Sequence, residues 1–172
     1  MRSVIFASMI FLLFTVPGMA ESKLGSVDMQ KMIQTSDAGK DAKEQLAIKG
    51  AKYEAEKNVK EEELRKLKSE LEKQSVLLSE PARMAKEKDY QQKLKEYQRF
   101  MKDAQDDLQV KQEELVGKMY EEIVKIVQEY GKKNSFTFIF EKSPAMIYMD
   151  DSVDMTDELL KQFNASRKSV RK

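Results

Sequence analysis

No cysteine, histidine or tryptophan occurs in this chain of 172 residues. Without cysteine, an oxidising compartment finds no disulfide to form and no stray thiol to trap. Without histidine, the commonest metal ligand, the usual general base and the ordinary pH switch are missing together. The six glycines are scattered, and no Gly-Lys-Ser/Thr loop is present to cradle a nucleotide phosphate. Neither sign of charge prevails, with 31 basic residues against 30 acidic ones. No global field therefore draws nucleic acid or an anionic surface.

Neighbouring carboxylates such as Asp106/Asp107, Glu113/Glu114 and Asp150/Asp151 come nearest to a catalytic or metal-binding constellation. Adjacent acids on a helix point to different faces, and a solvated turn explains the last pair better than a calcium site. We read a non-enzyme with no cofactor, no metal, no nucleic-acid partner and no small-molecule substrate.

Long hydrophobic runs are also missing, except at the start. Arg2 precedes the apolar stretch Val4 to Val16, which Pro17 breaks, and Gly18-Met19-Ala20 follows with small residues at the positions a signal peptidase reads. That layout predicts a secretory signal peptide over 1–20. The stretch is shorter than the ~20 residues that cross a bilayer, so a membrane anchor is disfavoured. Arg2 is the only charge in the leader, so the mature chain balances at 30 basic and 30 acidic residues.

What is abundant is charge on helix-forming residues. Over 21–39, Leu24 to Asp28 alternates enough for a short strand. Met29 to Thr35 could form two helical turns, with Gly39 permitting a break before the next element. The segment 40–131 reads as a helical hairpin. In its first half Leu64, Leu67 and Leu71 form one thin seam among acid-before-base pairs such as Glu56/Lys60 and Glu61/Arg65. Ser79 as N-cap and Pro81 in a first turn place a tip near 74–80. The seam resumes at Tyr90, Leu94, Tyr97, Met101, Ala104 and Leu108, the alternating three and four spacing of a coiled coil. Glycines at 50 and 117 interrupt strong helices and suggest hinges.

Over 132–164 the period changes. Gly131 and Asn134 should end the helix. Phe136 to Glu141 and Met146 to Met149 then read as a β-hairpin around Pro144, and Thr156 is expected to cap a last helix carrying Leu159, Leu160 and Phe163. The stretch 165–172 holds Arg167, Lys168, Arg171 and Lys172 without an acid, and reads as a disordered tail. Weak contact of that tail with an anionic membrane is the sharper option. The fold class is therefore α+β: mostly helical, with an antiparallel helical arm on a small β base. Its short strands leave open edges and apolar residues that one copy cannot cover, which predicts self-association. The residues expected there are Leu24, Val27, Phe136, Phe138, Ile139, Phe140, Ile147 and Tyr148.

The order of these elements resembles the Skp/OmpH family of periplasmic chaperones for outer-membrane proteins. Three stretches carry the likeness. The first is Gly25-Ser26-Val27-Asp28-Met29-Gln30 with Ser36-Asp37-Ala38-Gly39-Lys40 and Leu46. The second is the charged hairpin with Leu78-Ser79-Glu80 and Ala82-Arg83. The third is Phe136 to Glu141, then Met146-Ile147-Tyr148, then Val153-Asp154-Met155-Thr156-Asp157-Glu158-Leu159. The resemblance implies a jellyfish-like homotrimer whose arms enclose a cavity for unfolded outer-membrane proteins, held without ATP. On that reading the client-binding residues are Tyr53, Leu64, Leu67, Leu71, Leu78, Tyr90, Leu94, Tyr97 and Met101. For the leucines, packing between the two arm helices is the competing explanation. The known members look basic whereas this chain is balanced, which leaves strong anion binding unsupported. A structural spacer or adaptor of the cell envelope is the alternative; it should show sustained heptads.

Overall fold

The computed structural model describes residues 22–74 and 78–170. The expected signal peptide, and the tip residues Val76 and Leu77, lie outside the described residues. The chain opens with strand β1 (Leu24–Val27), followed by helix α1 (Met29–Thr35). Asp28 caps α1, its carboxylate accepting from the Lys31 N–H at 2.7 Å. Ser36 is extended and ends the helix, and its hydroxyl then accepts from the Gly39 N–H at 3.0 Å. One serine thus closes α1 and caps the long helix α2 (Asp37–Gln74).

The break therefore falls at Ser36, three residues earlier than the glycine suggests. Gly39 lies inside α2, where its role is contact. A Cβ there would stand 1.8 Å from the Ile33 carbonyl oxygen. Two helices joined through one residue must touch, and only a residue without a side chain allows it.

Helix α3 (Glu80–Lys133) begins behind Ser79 with proline in its first turn and runs for 54 residues against 38 in α2. Gly131 stays within the helix beneath Ile139, and Asn134 caps it. Strand β2 (Phe138–Glu141) then pairs with β1 in parallel, Leu24 opposite Phe138 and Val27 opposite Glu141. The two helices of the arm thus make up most of the crossover between two adjacent strands.

The β-hairpin read from the sequence is not formed. Residues 142–150 hold no strand, and Ser143 to Met146 make a turn, with the Met146 N–H donating to the Ser143 carbonyl at 2.9 Å. The reason lies at β1. Its second edge is taken by the chain at Asp154, where the Met155 N–H reaches the Ser26 carbonyl at 2.9 Å. To arrive there residues 142–150 carry the chain across to the far side of β1, and they leave the outer edge of β2 uncovered.

A short turn of 3-10 helix at Asp151–Val153 leads to the last helix, α4 (Thr156–Val170). Thr156 is its first residue and not its cap. Asp154 does the capping, accepting from the Thr156 N–H at 2.9 Å and from its hydroxyl at 2.5 Å. That hydroxyl in turn accepts from the Asp28 N–H at 2.9 Å. Burial pushes the Asp154 carboxyl up, but hydrogen bonds from Thr156 and the nearby Lys142 outweigh it and leave the group below its ordinary range. The Asp-x-Thr motif is thus a clasp between the chain's two ends. Thr156→Val is expected to cost about 1–3 kcal/mol, because the Asp28 N–H loses a buried acceptor. This should appear as a lower urea midpoint at constant slope, with Thr156→Ser recovering most of it. An unchanged midpoint for the valine would show the hydroxyl to be dispensable.

The core lies where β1, α1, the root of α2, the end of α3 and α4 meet. Val27, Met29, Met32, Ala38, Ala42, Met119, Ile123, Leu159 and Phe163 are buried together there. Helix α4 runs on to Val170 in place of a disordered tail from 165, with 171–172 outside the described residues. Asn164 accepts from the Asp37 N–H at 3.0 Å, Arg167 meets Glu122 at 2.5 Å, and Lys168 lies 3.8 Å from Asp37. Arg167 and Lys168 thus lie against the base.

Candidate functional site

Two surfaces offer themselves. The first is the arm formed by α2 and α3. Among its described residues from 43 to 118, only Ala104 is buried. Leu64, Leu67, Leu71, Leu78, Tyr90, Leu94 and Tyr97 are half-buried, and Met101 is exposed. A fully buried leucine or methionine gains about 1.5–3 kcal/mol; these gain a part of that. The seam never becomes dry.

Polar rungs cross where the leucines leave gaps. Asp107 on α3 receives the Tyr53 hydroxyl and, at 2.5 Å, the Lys49 ammonium from α2. The Tyr53 ring stands edge-on to Phe100 at 6.0 Å, and Lys60 lies 5.1 Å above that same Phe100 ring. Further along, the Tyr97 hydroxyl donates to Glu61 at 2.5 Å. Nearest the tip, Lys86 donates to Glu70 at 2.8 Å and to Gln74 at 2.9 Å. The hydrogen bonds from Lys49 and Tyr53 lower the Asp107 carboxyl below its ordinary range, and the same bond raises the Tyr53 phenol. Lys86 likewise lowers Glu70, and Glu61 raises Tyr97.

Two of the three tyrosines expected as client contacts, Tyr53 and Tyr97, are therefore also cross-links of the arm. Nothing in the sequence pairs the two tyrosines with their carboxylate partners, Asp107 and Glu61. They belong to an unbroken field of charge, and nothing marks Glu61 off from Glu62 or Glu63.

The second surface is the outer edge of the base. Strand period sends Ile139 inward against Gly131 and turns Phe138 and Phe140 out, with their rings stacked at 5.8 Å. Phe138 is 58% exposed, and Leu24 beside it is exposed too. Ile147 and Tyr148, on the irregular stretch after β2, are 101% and 82% exposed. Val27 lies within the chain's own core and presents no surface. Phe136 packs on Tyr130 at 5.9 Å, half-buried under the Lys23 ammonium.

Next to this edge a groove of about 730 Å³ runs along the root of the arm. Met29, Ile33, Leu46, Leu115 and Met119 line it, with Tyr120 and Glu141 at its rim. The Tyr120 hydroxyl bonds Glu141 at 3.2 Å, joining the groove to the end of β2. Sequence periodicity could not show this groove, because it forms only once α1 folds back on α2.

Comparison with known proteins adds three findings. Residues 23–163 match the sequence model of a family described as outer membrane protein, OmpH-like. A search of curated proteins gave no match. Among solved structures, the fold is similar to that of a Caulobacter crescentus protein described as a candidate outer membrane chaperone, OmpH-like. The TM-score is 0.78 at 16% identity, over 87% of this chain and 88% of that one.

Proposed function

Since the chain belongs to the OmpH-like outer membrane protein family, we propose that it is an ATP-independent holdase, which binds unfolded outer-membrane β-barrel proteins in the periplasm and keeps them from aggregating. The observation that carries this reading is the arm's undried seam, in which Ala104 is the only buried residue among those described from 43 to 118. A holdase must bind many unlike chains loosely, so it needs a long supply of adaptable apolar contact instead of one deep pocket. Methionine and tyrosine suit that task, the first by flexibility and the second by joining an apolar ring to a polar tip.

The client contacts we propose are Tyr53, Leu64, Leu67, Leu71, Leu78, Tyr90, Leu94, Tyr97 and Met101, none of them essential alone. Self-association uses the outer edge of β2 with Leu24, Phe138, Phe140, Ile147 and Tyr148, while Val27, Phe136 and Ile139 support it from behind. Unpaired backbone groups on such an edge, beside side chains this exposed, favour covering by identical copies. Three copies would set three arms around one cavity. The spacer alternative fits less well, because a spacer arm should bury its seam continuously.

Light scattering tests this directly. The chain from Glu21 onward should show the mass of three copies, and one soluble client should add to it when a β-barrel protein is diluted from urea into the mixture. An oligomer that leaves the client to aggregate would favour the structural reading.

A further inference from the structure

Every hydrogen-bonded contact described between the two arm helices ends on a carboxylate or on Gln74. Asp107 faces Lys49 and Tyr53 across the arm, with Lys111 beside it on its own helix. Glu56 and Glu114 lie in the surroundings of Tyr53 and Lys49. Glu61 faces Tyr97, with Glu54 and Lys57 close by. Glu70 faces Lys86. All three rungs are solvent-accessible, and the leucines between them are half-buried.

We propose that the arm is a releasable clasp. Tyr53–Asp107–Lys49, Tyr97–Glu61 and Lys86–Glu70 hold α2 against α3, and removal of the carboxylate charges lets the helices part and open the leucine seam between them to an unfolded chain. The last clause rests on the holdase reading; the clasp itself does not.

The sign of the pH effect follows from the partners. Asp107 and Glu70 are held below the ordinary carboxylate range, so their rungs are complete above about pH 4 and are lost as pH falls through the lowered values. Tyr53 and Tyr97 are held above the ordinary phenol value, so they remain donors until pH rises beyond about 10. The arm is closed between those limits and opens in acid. Salt should act in the same direction, since exposed ion pairs are screened.

The absence of cysteine makes the test clean. Spin labels are placed at Asn58→Cys and Gln98→Cys, one on each helix and both exposed. Labelled chains are diluted into unlabelled ones, so that only distances within one arm are read by double electron–electron resonance. Near neutral pH a narrow distribution is expected. As pH falls from about 4 to about 2 the share of long distances should rise several-fold, as the exposed Asp107 and Glu70 rungs are lost. Asp107→Asn, Glu61→Gln and Glu70→Gln combined should give that broad distribution already at neutral pH. A narrow distribution in the triple variant, or one that still broadens in acid as the parent does, would overturn the clasp. Client capture by the triple variant at neutral pH is measured alongside. Open arms with greater capture support the whole proposal; open arms with unchanged capture uphold the clasp and overturn the opening of its seam to clients; no capture by parent or variant overturns the holdase reading.

Discussion

Phe163→Ala is expected to remove about 3–5 kcal/mol of stability, the cost of leaving a phenylalanine-sized cavity in a packed core. Phe163 has no exposed surface and sits with Met32, Ile123 and Leu159, which come from α1, α3 and α4. Phe163 is the bulkiest of these fully buried side chains, and among the described residues the arm from 43 to 118 adds only one buried alanine. Domain stabilities run to about 5–15 kcal/mol, so a loss of this size is a large fraction of the whole. The same truncation in the arm should behave differently. Leu67→Ala removes a half-buried side chain from a seam that water already reaches, and should cost far less. Urea unfolding followed by circular dichroism, at one fixed protein concentration because association shifts the midpoint, would compare the two. Equal losses would mean that the arm is a structural element of the fold, contrary to the division drawn here between a packed base and a loosely held arm.

That division was legible in the sequence at the level of elements. Ser79 and Pro81 marked the start of the second long helix, and the spacing from Tyr90 to Leu108 marked its seam. Both are local signals that no tertiary contact overrides. Where the sequence misled, long-range geometry was the cause. Phe136 to Glu141 and Met146 to Met149 look like a hairpin because they are close in the chain. The partner of β2 is instead β1, over a hundred residues earlier, and the chain after β2 runs on to Asp154 on the other edge of β1. Gly39 looked like a break because glycine often is one; only the approach of Ile33 shows that it marks a contact. Arg167 and Lys168 looked like a free tail because their partners, Glu122 and Asp37, are distant in sequence.

The candidate site was legible by half. Tyr53, Tyr90 and Tyr97 stood out as aromatic residues of a charged arm, and of these Tyr53 and Tyr97 bond carboxylates across it. Their partners lie 54 and 36 residues away. In an antiparallel hairpin the facing residue depends on the register set at the tip, and a shift of one residue there changes every rung. No local pattern encodes it. The motifs that carry the family likeness also turn out to be chiefly structural. Ser36, Gly39, Asp154 and Thr156 join helices and chain ends, while the third stretch also supplies Phe138, Phe140, Ile147 and Tyr148 to the exposed edge of the base.

The glycines divide along the same line, and substituting them should give opposite signs. Gly39→Ala places a Cβ against a backbone carbonyl at 1.8 Å, and a carbonyl locked in α1 cannot swing aside as a side chain end could. The helices must separate, and a loss of about 3 kcal/mol, the upper end of ordinary overpacking, is expected. At Gly50 and Gly117 a Cβ would meet nothing within 4 Å. Neither position has a packing reason for glycine, and alanine there should stabilise each helix by about 0.5–1 kcal/mol. A residue that weakens its helix without improving any contact is a candidate for flexibility, which the proposed function would use to spread the arms around clients of different size. Gly50→Ala combined with Gly117→Ala should therefore raise the melting temperature, narrow the spread of arm-tip distances between spin labels, and reduce capture of the larger clients. Because the added methyls touch nothing, lost capture could be assigned to stiffness and not to a blocked surface. Unchanged capture and unchanged tip distances in the stabilised protein would remove the hinge from the mechanism and leave the clasp between the helices as the arm's one moving part.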